Sequence, residues 1–293
     1  MPSTSPKPSV VRSFMLWLFD VPHGEPYVMT TVDIRWDRAL AWMEARNTEA
    51  AAGGQGAGRI TTQHVFTSAV GRVFREFPVI NARIFGNEIR TLPTVDIVMP
   101  VNLLGDNSTV KSRELSMVSL RDVDRMNPRE VAANLRPQVA QEREGKTGNT
   151  FVRTMLKFGT QSPRALRFAL DHVATIAHDP HGAALLAKSL PMSTLITNVG
   201  AALTETPGLR FRAVAFSPPS KLIHVGSVFG LGPLERAALV EKTAAGDEKI
   251  VIGTVLPVAF IFDHRLVDGV MGGRILARLN ELLQDPDQTW GAC

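Results

Sequence analysis

The stretch FIFDHRLVDGVMGG, residues 260–273, decides how the chain is read. An apolar run from Val255 to Phe262 stops at Asp263, and His264 follows at once. A nearly continuous apolar segment of this kind reads as a strand buried on both faces. Its end delivers an imidazole to wherever the sheet opens, with a rigid element fixing the side chain and a loop giving access. Histidine is neutral but basic near pH 7, so it can take a proton from a thiol or hydroxyl. Asp268 stands just before a helical pattern, where an aspartate caps well. Gly269 reads as a turn residue. Residue types alone leave two readings of His264 open: a general base, or a core histidine satisfied by one hydrogen bond.

The 293 residues are 44% hydrophobic and 20% charged, which allows a large core in one big domain or two modest ones. The single cysteine, Cys293, excludes an intrachain disulfide and argues against a cysteine nucleophile. The cytoplasm is the default compartment for such a chain. The net charge of +4 suits an anionic ligand such as a nucleotide-bearing thioester. The charges are scattered and there is one tyrosine, so neither a basic stripe nor a stacking platform for nucleic acid is present. The apolar run Phe14–Phe19 is too short for a membrane span, and no small-residue cleavage site follows it. Residues 1–9 read as a disordered tail.

Tyr27–Ile34 reads as a strand, followed by a helix with Asp37 as its N-cap. Thr48–Gly58 is a flexible loop by composition. TTQHVFTSAVGRVFREFP predicts a helix capped by Thr62 and ended by Pro78. NARIFGNEIRTL predicts a hairpin around Gly86-Asn87. TVDIVMPVNLL and RELSMVSL are further strands, and Asn127 and Pro128 open a helix in which Pro137 predicts a kink or break. A helix starts at Ser162-Pro163 and runs to about Ala177. MSTLITNV, RFRAVAF, KLIHVGSVF and KIVIGTVLPVAFIF are strands, and a closing helix runs through GGRILARLNELLQD. Without strict alternation, this order predicts an α+β fold. His172, His178 and His181 do not form a convincing metal set. His224 reads as an ordinary sheet residue, and His64 as a surface or cap-side histidine.

FDHRLVDG followed by GRILARLNELLQDP resembles the acyltransferase core of 2-oxo acid dehydrogenase complexes. The spacing of His, three residues and Asp-Gly is similar to that of chloramphenicol acetyltransferase. VMTTVDIRWDRALAWM, the block RITTQHVFTSAVGRVFREFPVINARIFGNEIRTLPTVDIVMPVN, SLRDVDRMNPREVAANL and STLITNVG resemble earlier parts of the same core. The likeness covers about Tyr27–Gly145 and Leu190–Asp287.

The resemblance implies a chloramphenicol-acetyltransferase-like two-layer sandwich of a mixed sheet with helices, α+β, assembled as a homotrimer with its site between neighbouring subunits. It implies coenzyme A, as acyl-CoA, as a substrate. His264 would be the general base, and Thr197 would hydrogen-bond the tetrahedral oxyanion. Asp268 would hold the loop that orients the histidine, with Arg265 as a candidate basic partner. Asn198, Gly200 and Gly269 would shape the turns.

Four departures mark the chain. No lipoyl domain, subunit-binding domain or long Ala/Pro linker precedes the core, so no covalent lipoyl group is expected here, and a separate lipoyl protein is one candidate partner. LLGDNSTVKSRELSMVSL replaces the family's channel-lining segment. Residues 146–189 form a helical insert that reads as a lid, an acyl pocket or an oligomer contact. The close LLQDPDQTWGAC lacks the apolar end of large family cores, which favours an isolated trimer. The expectation is one domain over residues 10–293, a cytoplasmic acyltransferase moving an acyl group between CoA and a dihydrolipoyl-type thiol or another small acceptor. No metal, nucleic acid or membrane partner is expected. From a different class, a non-catalytic trimeric scaffold or binding subunit fits the same core.

Overall fold

The computed structural model describes residues 26–53, 58–85, 88–102, 115–144, 162–178, 182, 192–200, 212, 214–216, 218, 224–243 and 246–291. The expected tail, the Phe14–Phe19 run, the Gly86-Asn87 turn and most of the 146–189 insert lie outside these residues. The chain runs through β1 (Tyr27–Arg35), α1 (Asp37–Ala52), α2 (Thr62–Glu76), β2 (Ala82–Phe85), β3 (Glu88–Thr91), β4 (Ile97–Asn102) and β5 (Leu115–Leu120). A 3-10 turn at Val123–Arg125 leads into α3 (Pro128–Arg143), and α4 is Pro163–His178. β6 (Thr194–Asn198), β7 (Ser227–Leu231), β8 (Glu235–Lys242), β9 (Glu248–Asp263), α5 (Gly269–Gln284) and α6 (Pro286–Trp290) complete it.

Seven strands form one mixed sheet in the order β1-β9-β7-β6-β4-β5, with β8 pairing the first half of β9. β6 runs parallel to β4 and β7, and the remaining pairs are antiparallel. β2 and β3 form a separate two-stranded sheet. This is the α+β architecture that the mixed element order predicts.

β9 is buried continuously from Val255 to Asp263, as its apolar run requires. On one face Phe260 stacks on Phe229 at 4.6 Å, and Phe66 of α2 meets Phe229 edge-on at 5.6 Å. Each such ring contributes about 2 kcal/mol by burial alone. α5 brings Ile275, Leu279 and Leu283 onto the same core. It comes close because Gly272 has no side chain: a Cβ there would lie 2.9 Å from the Phe262 ring. The other face carries a smaller cluster of Leu195, Val228, Ala259 and Ile261.

Several local expectations are corrected. Asp37 is the first residue of α1 and not its cap. Its carboxylate instead accepts the Thr254 amide at 2.7 Å and the Arg35 guanidinium at 2.7 Å. Thr61, one residue earlier than expected, caps α2 in a box with His64. α3 runs through Pro137 unbroken, with Asn127 accepting the Arg129 and Glu130 amides at its start. Arg212, Val214, Ala215 and Phe216, the described residues of RFRAVAF, are not in a strand. The Val214 carbonyl instead packs on Gly230, where a Cβ would sit 1.8 Å away. ERAALVEK, unassigned by its pattern, is β8. Val240 lies opposite Ile250 on this hairpin, and both are exposed together with Ile252.

Candidate active site

The end of β9 is fixed from several directions. The Asp263 amide donates to the Gly226 carbonyl at 3.0 Å, and its own carbonyl accepts the Leu266 and Val267 amides at 3.0 and 3.1 Å. The chain therefore turns tightly around His264. The His264 amide donates to the Pro26 carbonyl at 2.9 Å, tying the loop to the residue ahead of β1. Leu266 and Val267 are buried and anchor the far side of the turn. The backbone on both sides of His264 is thus held, while the residue itself is exposed.

Asp263 is fully buried and carries the densest set of polar contacts in this region. Oδ1 accepts the Arg265 amide at 2.8 Å and Nε at 3.0 Å. Oδ2 accepts Nη2 of Arg265 at 2.6 Å and faces Nε2 of His224 at 2.8 Å. Burial alone would raise its pKa, but the hydrogen bonds from His224 and Arg265 outweigh it and hold the carboxyl well below the usual range.

The candidate pairing of Arg265 with Asp268 is not made among the described residues. Arg265 is engaged by Asp263, and the Asp268 carboxylate accepts the Met271 amide at 2.7 Å as the N-cap of α5. An aspartate suits that position because it satisfies an orphan N–H and complements the helix dipole. Gly269 is the first residue of α5, and nothing lies within 4 Å of where its Cβ would be. Among the described residues, no contact explains a glycine there.

Thr197 is half-buried near the end of β6. Its hydroxyl has no hydrogen-bond partner among the described residues. Asn198 closes β6 opposite Leu231. The Val199 amide donates to the Leu231 carbonyl at 3.2 Å. A Cβ on Gly200 would lie 2.4 Å from the Gly232 carbonyl oxygen, so this turn excludes a side chain. The structure therefore gathers His264, Arg265, Asp268 and Gly269 where β9 turns into α5, and Thr197, Asn198 and Gly200 at the end of β6. Register separates the two groups. Thr197 pairs with Gly230, which pairs with Ala259, five residues before His264. At about 3.3 Å per residue the offset along the sheet is about 17 Å.

Sequence reasoning missed His224. It sits just ahead of β7, not within a strand, and its partner Asp263 is 39 residues away. Nothing local in KLIHVG marks it. His64 lies on the α2 cap, where its Nδ1 accepts the Thr61 amide at 3.2 Å. Burial, and then the charge of Arg136, lower its pKa to about 4. The His172 ring packs against Phe168 at 5.0 Å. Among the described residues no group of three or more His, Cys, Asp or Glu side chains could hold a metal ion. No helix among them is long and apolar enough to cross a membrane.

The family model described as 2-oxoacid dehydrogenases acyltransferase (catalytic domain) matches residues 17–152 and 226–290. The chain belongs to this family. The second matched segment contains the whole loop from Asp263 to Gly269. The dihydrolipoyllysine-residue acetyltransferase component of the pyruvate dehydrogenase complex of Acholeplasma laidlawii is 35% identical over 91 residues. That stretch is 31% of this chain and 14% of that protein. The cubic core of a pyruvate dehydrogenase multienzyme complex superposes with a TM-score of 0.67 at 16% identity, over 97% of this chain and 93% of that one. Dihydrolipoamide acetyltransferase of Azotobacter vinelandii, studied for the role of a serine, a histidine and an asparagine in its catalytic mechanism, superposes at 0.62 and 16% identity. That match covers 96% of this chain and 87% of the other. These two likenesses establish the acyltransferase fold.

Proposed function

We propose that this member of the 2-oxoacid dehydrogenase acyltransferase family moves an acyl group between coenzyme A and a dihydrolipoyl-type thiol or another small acceptor, with His264 as general base. The observation that carries the reading is the exposed His264 on a turn whose backbone is held by Gly226, Pro26 and the Asp263 carbonyl. A ring nitrogen takes the acceptor's proton, and the thiolate attacks the thioester carbonyl of acyl-CoA. The tetrahedral intermediate then expels the CoA thiolate, which recovers the proton from the imidazolium. The relative from Azotobacter vinelandii is described with a histidine and an asparagine four residues apart. That is the separation of His264 and Asp268, and an asparagine oxygen can cap a helix as an aspartate does.

Thr197 donates its hydroxyl to the oxyanion. Its distance from His264 along the sheet supports a donor from a second copy and an oligomeric working form, read here as a homotrimer. The exposed pair Val240 and Ile250 on the β8–β9 hairpin supplies apolar surface for such an assembly. A separate lipoyl protein is the acyl carrier that fits this chemistry, and a cytoplasmic location goes with the reading.

The test is thiol release from a panel of acyl-CoA esters, with dihydrolipoamide, amines and alcohols as acceptors. His264→Ala lowers turnover about 10²–10⁴-fold. Wild-type turnover in the mutant removes His264 from the mechanism. A wild-type protein that neither binds CoA nor turns over is the scaffold.

A further inference from the structure

We infer that His224 is a positioning residue for His264, acting as a hydrogen-bonded bridge from β2 to the Asp263 carboxylate. The inference rests on the general-base reading of His264 and adds a residue that the family signature does not contain. Its ground is the geometry of the His224 ring. The Ile84 amide of β2 donates to Nδ1 at 3.1 Å, so Nδ1 carries no hydrogen. The ring hydrogen is therefore on Nε2, which donates to Oδ2 of Asp263 at 2.8 Å. Only this tautomer satisfies both neighbours, and the side chain is 9% exposed, so water does not readily replace either of them.

The bridge joins two sheets. β2 pairs with β3 alone, whereas Asp263 ends β9 of the main sheet. The sheets come close at Gly226, where a Cβ would be 3.0 Å from the Ala82 carbonyl oxygen, and the Gly226 carbonyl in turn accepts the Asp263 amide. Asp263 passes the constraint on. Its carboxylate accepts the Arg265 amide and its carbonyl accepts the Leu266 and Val267 amides, so its orientation sets the turn that carries His264. The other side chain shown on this carboxylate, Arg265, is 43% exposed and has a long, flexible stem. His224 is the rigid member of the pair, and without it the carboxylate and the turn above it can swing together. A shift of about 1 Å in a reacting group costs up to about 10²-fold in rate.

Three His224 variants test the bridge. His224→Asn keeps an acceptor near Nδ1 for Ile84 but cannot reach Asp263. His224→Gln places a donor where Nε2 stood. His224→Leu supplies neither. In the full-length protein, His224→Asn and His224→Leu lower kcat about 10–10²-fold with KM for acyl-CoA within about twofold, and His224→Gln recovers most of the rate. Amide hydrogen exchange at Leu266 and Val267 speeds up in the Asn variant and returns toward wild type in the Gln variant. Wild-type kcat in His224→Asn, or exchange unchanged across the series, overturns the inference. If His264→Ala keeps full activity, the general-base reading falls separately. Unchanged exchange in His224→Asn then also removes the bridge, whereas faster exchange keeps it as the device that holds this turn.

Discussion

Thr197 of β6 lies level with Ala259 of β9, through Gly230 between them, and His264 stands five residues further along the same sheet. The hydroxyl and the imidazole are thus about 17 Å apart along the sheet of one protomer. Replacement of Thr197 by Val removes the hydroxyl and keeps the branched shape. It lowers kcat about 10²–10³-fold while KM for acyl-CoA stays near wild type, the loss expected when one oxyanion donor disappears. Steady-state kinetics over a range of acyl-CoA concentrations checks this, and equal kcat values assign the oxyanion to another donor.

Asp268 is expected to act through the helix that it caps. Asp268→Ala leaves the Met271 amide without its side-chain acceptor and costs about 1 kcal/mol of stability. Asp268→Asn keeps an oxygen in the same place, and both stability and turnover remain near wild type. Urea unfolding of the two variants separates capping from a charge-dependent role: an Asn variant as unstable as the Ala variant means that the carboxylate charge, and not the cap, matters.

The pKa of His64 ties stability to pH. With a folded value of about 4 against an ordinary 6.5, the unfolded chain takes up this proton before the folded protein does. The contribution is fully present above pH 6.5 and declines as pH falls toward 4, at about 1.4 kcal/mol per unit and about 3 kcal/mol in all. His64→Gln keeps an acceptor for the Thr61 amide and does not titrate, so its stability curve is flatter across that window. Parallel curves for the two proteins contradict the assignment. The depressed pKa of Asp263 acts in a lower range. Its contribution is present above the unfolded carboxyl's pKa of about 4 and is lost as pH drops below it.

What could be read from the sequence follows from how local each signal is. β9 was legible because its burial writes a continuous apolar run, and the α5 cap was legible because Asp268 directly precedes the helical pattern. β8 escaped because its alternation is built from Ala and Leu between charged residues, a composition equally suited to a helix. Asp37 drew the wrong role because its carboxylate is claimed by Thr254, more than two hundred residues away. Pro137 did not break α3, because tertiary packing of Val131, Ala132 and Leu135 holds that helix to the core. His224 carries no local mark at all. Its importance comes from a strand end and a hairpin that the fold brings to either side of its ring.

The central claim is that His264 of one copy works with Thr197 of the next, and complementation tests it most directly. His264→Ala and Thr197→Val, each nearly inactive alone, are co-refolded in equal amounts, and acyl transfer from acyl-CoA to dihydrolipoamide is measured. Random assembly of a cyclic oligomer leaves one site in four with both residues intact, so activity returns to about a quarter of the wild-type rate. Mixed oligomers, confirmed by differential tagging, that stay at the average of the two parents contradict a site shared between copies.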